Sequence, residues 1–293
     1  MPLVPTSSVV EAAREARIGA AAFNIIHLET AEALVTAAER TGAPLILQIS
    51  ENCIRYHGGL LPLTRAALAL AEGSTARIAV HLDHLTDAEL VRQGIAAGVG
   101  SVMVDASALP YEENVATTAE LTAWCHERGA YVEAELGEVG GKDGVHAPGV
   151  RTKPDEALAF VRATRVDALA VAVGSSHAMH ERTAVLDKDL IAALRSTLPV
   201  PLVLHGSSGV PDDELRRAIA AGMTKINIST HLVSVFTGSI RRTLEAHPSL
   251  VDSRKYVKPA REAVAEEAAR LLGVLTTPAT VADRLAARAS AQG

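Results

Sequence analysis

Eight short apolar runs, each ending in turn or polar residues, recur along the chain at 20–26, 44–50, 77–83, 100–105, 131–136, 167–174, 200–205 and 224–229. Alanine-rich amphipathic stretches separate them. Several runs, such as Ala168 to Val173, are apolar at nearly every position, which suits strands buried on both faces of a parallel sheet. Strands alternating with helical stretches imply right-handed βαβ units. Eight such units are the count of an α/β chain folded as a single (β/α)8 TIM barrel, with a doubly wound open sheet as the alternative. A length of 293 residues is compatible with one barrel domain spanning 1–293.

Local punctuation agrees with this division. Thr86-Asp87-Ala88-Glu89 has the pattern of a capping box, in which Thr86 would cap the N–H of Glu89, and Gly98 supplies a stop. Pro211-Asp212-Asp213-Glu214 opens a later helix and Gly222 closes it. The two helices resemble each other and lie four units apart, as expected for a barrel with two related halves. From Lys255 to Leu275, Pro259 and an alternation of apolar and charged residues predict an amphipathic helix within a C-terminal arm of about 250–293.

A formal net charge of -6 rules out the broad positive field of a general nucleic-acid binder. Phosphate, if bound, must be met by local donors: backbone N–H groups, hydroxyls and a few arginines. The two cysteines, Cys53 and Cys125, form neither a disulfide framework nor a metal knuckle. No signal-peptide pattern opens the chain, and no apolar run reaches the ~18 residues of a membrane span. The expected setting is the cytoplasm, with no membrane partner.

The chemistry gathers at strand ends. His81-Leu82-Asp83-His84 closes the third run, Gly174-Ser175-Ser176-His177 follows the sixth, and His205-Gly206 follows the seventh. Barrel closure would bring His84, His177 and His205 together, and three protein ligands are what a catalytic zinc usually takes. Strand alternation puts His81 on the face of Asp83 and sends His84 to the other, so His81 is equally a packing residue or a ligand. Asp83, beside a proposed ligand, is placed for general acid/base work. Glu133 and Glu135 share one face of the fifth strand, and Asp105 ends the fourth. Gly206-Ser207-Ser208-Gly209 and Asn227-Ile228-Ser229-Thr230 follow strands seven and eight, where barrels frequently bind phosphate. The fifth and sixth strands hold no lysine for a Schiff base, and Lys225, in the eighth, suits a salt bridge. The glycine-rich stretch Gly137–Thr152 reads as an active-site flap.

In the order Ala22-Phe23-Asn24, Val80 to His84, Val132 to Gly137, Gly174 to His177, Leu202 to Gly206 and Lys225 to Thr230, these motifs resemble the class II, metal-dependent ketose-bisphosphate aldolases. The resemblance implies a zinc ion on His84, His177 and His205, with Asp105 and Glu135 around an alternative inner metal position. It also implies Asp83 as the group exchanging a proton with the C4 hydroxyl. Dihydroxyacetone phosphate would lie on Gly206, Ser208, Asn227 and Thr230, with Asn24, Ser50 and Ser229 as further substrate contacts. Arg254 would meet a phosphate at the aldehyde end. A monovalent cation and assembly into a homodimer or homotetramer complete the expectation.

The chain departs from the family pattern in three places. Asp143 stands near the place of the usual flap glutamate, whose exchange of the dihydroxyacetone-phosphate proton it would take over as a catalytic acid of shorter reach. His177 is followed by Ala178-Met179-His180, and Thr230 is followed by His231 where an acid is common. A metal-dependent hydrolase or isomerase and a non-catalytic accessory subunit are the competing classes.

Overall fold

Each of the eight apolar runs becomes a strand in the computed structural model, which describes residues 3–137, 151–175 and 181–278. The strands are β1 (Ala20–Asn24), β2 (Leu45–Ser50), β3 (Ile78–Leu85), β4 (Ser101–Val104), β5 (Tyr131–Glu135), β6 (Ala168–Ala170), β7 (Leu202–Leu204) and β8 (Met223–Ile228). All pair in parallel and in sequence order, with β8 closing on β1. This is the (β/α)8 barrel, and the open sheet is excluded.

Helices α1 (Thr6–Ala16), α2 (Leu28–Thr41), α3 (Glu51–Tyr56), α4 (Leu61–Gly73), α5 (Ala88–Ala96) and α6 (Tyr111–His126) accompany the first half. The second half carries α7 (Pro154–Thr164), α8 (Lys188–Thr197), α9 (Asp212–Ala221), α10 (Thr230–Ala246) and α11 (Ser253–Thr276). No helix among the described residues is long and apolar enough to cross a membrane.

Period-two alternation sorts each strand into two environments. Outward side chains such as Phe23, Leu47, Leu82, Val102, Val132 and Ile226 join the helices in one continuous core. Inward side chains change character along the chain direction. They start apolar, with Ala20, Ala22, Ile46 and Ala79 packed on Val9 and Val10 of α1, and with Met103, Tyr131, Ala168 and Val203 across the barrel. They end polar, with Gln48, His81, Asp83, Glu133, Lys225 and Asn227 all buried. Helix α1, absent from the sequence expectation, therefore seals one end, and the polar groups gather at the C-terminal end of the strands.

Of the arm expected over about 250–293, the part beyond 278 lies outside the described residues, and the helix expected from Lys255 to Leu275 is within α11, which packs on its own barrel. Ala260, Val264, Ala268, Leu271 and Leu272 are buried, while Arg261 and Glu262 pair with Glu32 and Arg40 of α2 at 2.6 Å each. At its far end the Leu275 carbonyl accepts the Gly19 N–H at 2.7 Å, so close that a β-carbon on Gly19 would lie 2.8 Å from Ile219 Cδ1.

Two local expectations are corrected. Strand β6 is shorter than the apolar run 167–174, because Ala172 donates its N–H to Thr152 Oγ1 (2.8 Å) and its carbonyl accepts the Thr152 N–H (3.0 Å) instead of pairing with the sheet. Helix α5 is capped by Asp87, whose side chain accepts the Glu89 N–H at 2.8 Å, and not by Thr86. Thr86 is engaged elsewhere: its N–H and hydroxyl both reach the Glu51 carboxylate. Gly98 (φ 96°) and Gly222 (φ 135°) follow their helices in the left-handed conformations the stops require.

Candidate active site and metal centre

The site begins with a backbone irregularity. His84 has φ 52°, a left-handed conformation that costs a non-glycine residue roughly 1–3 kcal/mol. Pairing between β3 and β4 shifts at the same place, from Leu82 opposite Val102 to Leu85 opposite Val104. Regular alternation would have sent His84 outward with Leu82. The bulge turns it inward, so consecutive residues Asp83 and His84 both serve the barrel mouth.

His84 meets His205 there. Its Nε2 lies 2.8 Å from His205 Nδ1, and the rings stand nearly perpendicular at 86°. The remaining nitrogen of each ring faces a carboxylate: His84 Nδ1 to Asp105 Oδ2 and His205 Nε2 to Glu133 Oε1, both at 2.8 Å. Carboxylates that fix the tautomer and aim of metal-binding imidazoles produce this pattern. Donor atoms of Asp83, His84 and His205 lie within 4.8 Å of one another, as do those of His84, Asp105 and Glu135. The donor set therefore suits zinc, with nitrogen ligands first and oxygen ligands close by. His177, the third expected ligand, and Asp143 lie outside the described residues, as does the expected flap Gly137–Thr152 except for its two ends.

Glu133 does a second job. Its Oε2 lies 2.8 Å from Lys225 Nζ, and both side chains are wholly buried. Burial would raise the Glu133 carboxyl, but Lys225 and His205 hold it far below the usual range. The salt-bridge role expected for Lys225 is what the structure gives, inside the barrel beneath His205. Burial and the Lys225 charge push the His81 imidazole down to about 3, and its Nδ1 pairs with Ser101 Oγ at 2.9 Å. His81 is thus a buried supporting residue.

Asp83 has two unlike oxygens. Oδ2 accepts the Asn24 amide N–H at 2.9 Å, and Gln48 donates in turn to Asn24 Oδ1 at 3.2 Å. Oδ1 is buried with no hydrogen-bond partner among the described residues. Burial works to raise the carboxyl, but His84, His205 and Lys225 outweigh it and bring it down to about 2, so it is charged at neutral pH.

Opposite lies the hydroxyl-rich half. Gly206 (φ 69°) turns the chain after His205 into a short 3-10 turn over Ser207–Gly209. Ser208 Oγ accepts the N–H groups of Ser229 and His231 at 3.2 Å each, tying this turn to the start of α10, where Thr230 is the first helical residue. The Asn227 amide lies 3.1 Å from His205 Nε2. Ser175, which the sequence reading passed over, fixes the His205 backbone through a 2.6 Å bond from its hydroxyl to the carbonyl. His231 reaches Glu267 of α11 at 2.6 Å.

Two expected substrate residues are occupied otherwise. Ser50 sits beside Asp83 in the sheet, but its oxygen caps α3 by accepting the Cys53 N–H at 3.2 Å. The Arg254 side chain is 89% exposed at the start of α11 and paired with Asp252 at 2.9 Å, so the structure does not bring it to the cluster. Conversely, Gln48 and Ser175 serve the site without having been singled out for it, and Glu133, noted only as one of two acids on β5, is the partner of both His205 and Lys225. A polar residue inside an otherwise apolar run, as in Leu47-Gln48-Ile49, was the available signal.

Comparison with known proteins follows the same lines. The family profile described as fructose-bisphosphate aldolase class-II matches residues 4–278. A probable fructose-bisphosphate aldolase of Bacillus subtilis (strain 168) is 40% identical over 270 residues, covering 91% of this chain and 95% of the relative. The fructose-bisphosphate aldolase of Geobacillus stearothermophilus is 38% identical over 268 residues, covering 90% and 93%. The crystal structure of the YdjI aldolase from Escherichia coli K12 superposes with a TM-score of 0.81 at 28% identity, covering 93% of this chain and 97% of that one.

Proposed function

Because this chain belongs to the class II fructose-bisphosphate aldolase family, a family of carbon–carbon lyases, we propose that it reversibly cleaves a ketose 1,6-bisphosphate of the fructose or tagatose type. The products are dihydroxyacetone phosphate and glyceraldehyde 3-phosphate. One observation carries the reading: the charged, buried Asp83 has one oxygen pinned by Asn24 and the other without a hydrogen-bond partner among the described residues, beside the paired imidazoles of His84 and His205.

In cleavage, Asp83 Oδ1 takes the proton of the C4 hydroxyl as the C3–C4 bond breaks and the bond's electron pair passes toward the ketose carbonyl. Asp143 would deliver the proton that C3 needs to become dihydroxyacetone phosphate, and condensation reverses both transfers. Asn24 keeps the carboxylate from rotating. His84 and His205, with His177, would hold zinc, which supplies Lewis-acid stabilisation for negative charge developing at the ketose carbonyl. Asp105 and Glu133 keep both imidazoles in the metal-binding tautomer. Gly206, Ser208, Asn227, Ser229 and Thr230 form the cradle for the dihydroxyacetone-phosphate end. A homodimer or homotetramer and a monovalent cation near the cradle belong to the same reading.

A coupled assay of dihydroxyacetone phosphate release from fructose and tagatose 1,6-bisphosphates, with and without EDTA, tests it. EDTA-sensitive release is expected, and no release from either sugar would sink the bisphosphate assignment. A second reading, cleavage of another phosphorylated ketose, is favoured by the outward, Asp252-paired position of Arg254. Release from a ketose 1-phosphate alone would select it.

A further inference from the structure

Among the described residues three that are not glycine have positive φ. Arg17 and Arg165 end helices, where the left-handed conformation is routine. His84 lies inside a strand. Such strain persists only where the surroundings enforce it.

The enforcement comes from Glu51, the first residue of α3. Its side chain is 5% exposed, although an acid that merely favoured the start of a helix would sit in solvent. Oε2 accepts the Thr86 N–H at 2.5 Å and the Asp87 N–H at 3.4 Å, and Oε1 accepts the Thr86 hydroxyl at 2.9 Å. Arg55 pairs with the same carboxylate from the exposed side. On the other flank, Asp105 N–H donates to the Leu85 carbonyl at 2.8 Å. The two residues after His84 are thus gripped from β4 on one side and from the end of β2 on the other. Only the Glu51 grip is made by a side chain.

We propose that Glu51 is a positioning residue for the metal centre: by holding Thr86 and Asp87 it maintains the left-handed bulge that turns His84 toward His205 and leaves Asp83 beside it. The inference rests on the reading of His84 and His205 as metal ligands. It makes no use of which sugar is cleaved.

The test compares Glu51→Ala, Glu51→Gln, Thr86→Val and Arg55→Ala in the full chain. Zinc dissociation constants are read by competition with a chromophoric chelator, cobalt-substituted protein gives the visible absorption spectrum, and melting temperatures are taken with and without zinc. Residues that orient metal ligands typically contribute ~10–100-fold in affinity. Glu51→Ala is expected to weaken zinc binding within that range and to alter the cobalt spectrum. Glu51→Gln, which keeps an acceptor for Thr86 N–H, and Thr86→Val are expected to lose less. Arg55→Ala should stay within about twofold of the parent, because it removes the exposed pair and leaves the grip.

A merely structural acid would lower the melting temperature of the zinc-free protein and leave zinc affinity and the cobalt spectrum unchanged, and that result overturns the proposal. If the Glu51 variants fail to fold, unchanged zinc affinity in Thr86→Val overturns it equally. A parent protein that binds no zinc removes the metal reading and this proposal together. A parent that binds zinc but cleaves no ketose phosphate removes only the substrate assignment.

Discussion

The barrel mouth has two halves built by opposite means. On the β3–β5 side, the acids Asp83, Asp105 and Glu133 and the imidazole of His84 are held by polar side chains: Asp105 holds His84, Glu133 reaches across to His205 and Lys225, and the Asn24 amide holds Asp83. In the β7–β8 half, neutral hydroxyls hold backbone: Ser175 the His205 carbonyl, and Ser208 the amides of Ser229 and His231. Buried charges interact strongly and become costly when a partner is removed, whereas a lost hydroxyl leaves a few backbone groups to re-pair or hydrate. The first half suits steps that must succeed at one atom, and the second suits graded recognition of a phosphorylated end.

The largest separation of the halves should come from Asp83→Ala. Loss of a general acid/base group typically removes ~10²–10⁴ in rate. We expect kcat to fall by that much while zinc content, measured by elemental analysis, remains that of the parent. Near-normal turnover would refute the proton-transfer role. Next comes Lys225→Met, which takes the ammonium partner from the buried, charged Glu133 and leaves it only the contact with His205. Breaking a buried pair costs about 3–5 kcal/mol, and the double change with Glu133→Gln should recover part of it. Urea unfolding in EDTA measures both. Equal losses in the single and double variants would show that the two charges are not coupled.

These side chains also show where the sequence was legible. The strand count, the convergence of His84 and His205, and the salt-bridge role of Lys225 all follow from residue type and spacing, because period and strand order constrain them. The bulge at His84 does not, since strict alternation sends the residue outward, and the Glu51 grip that holds the bulge joins groups 35 positions apart. Helix α1 was passed over because its amphipathic face, with Val9 and Val10, packs on strand residues as small as Ala20 and Ala22. Ser50 and Ser208 are legible by motif as substrate contacts, but the amides that their oxygens accept are not, because a hydroxyl's orientation depends on which amide lies within reach. Here those amides belong to Cys53, Ser229 and His231.

On the hydroxyl-rich half, Ser208→Ala removes the acceptor shared by Ser229 and His231 while the turn at Gly206 is kept. Each unsatisfied group costs on the order of 1 kcal/mol, so we expect KM for the ketose phosphate to rise about tenfold with kcat within about threefold of the parent. A fall in kcat as deep as that of Asp83→Ala would mean the two halves are not separable, and that the cradle also aligns the reacting carbons.

The smallest effect should come from the network behind that half. His231 bonds to Glu267, and Arg270 joins Glu267 at 2.7 Å to Asp212, which Arg182 also holds at 2.6 Å. Burial pulls the Asp212 carboxyl up, but the bonds from Arg270 and Arg182 win and lower it. A carboxyl lowered in the folded state stabilises the protein above its unfolded pKa of about 3.9 and loses that contribution as the pH falls through the folded value. Asp212→Asn should therefore cost stability at neutral pH, with the gap to the parent closing below about pH 4. The groups are 24–42% exposed, so solvent keeps the cost to about 1 kcal/mol or less, and KM should hardly move. Urea unfolding from neutral to acid pH checks the sign. A gap that widens on acidification would show that the two arginines do not hold the charged form of Asp212, and a KM shift as large as that of Ser208→Ala would make this network part of the cradle.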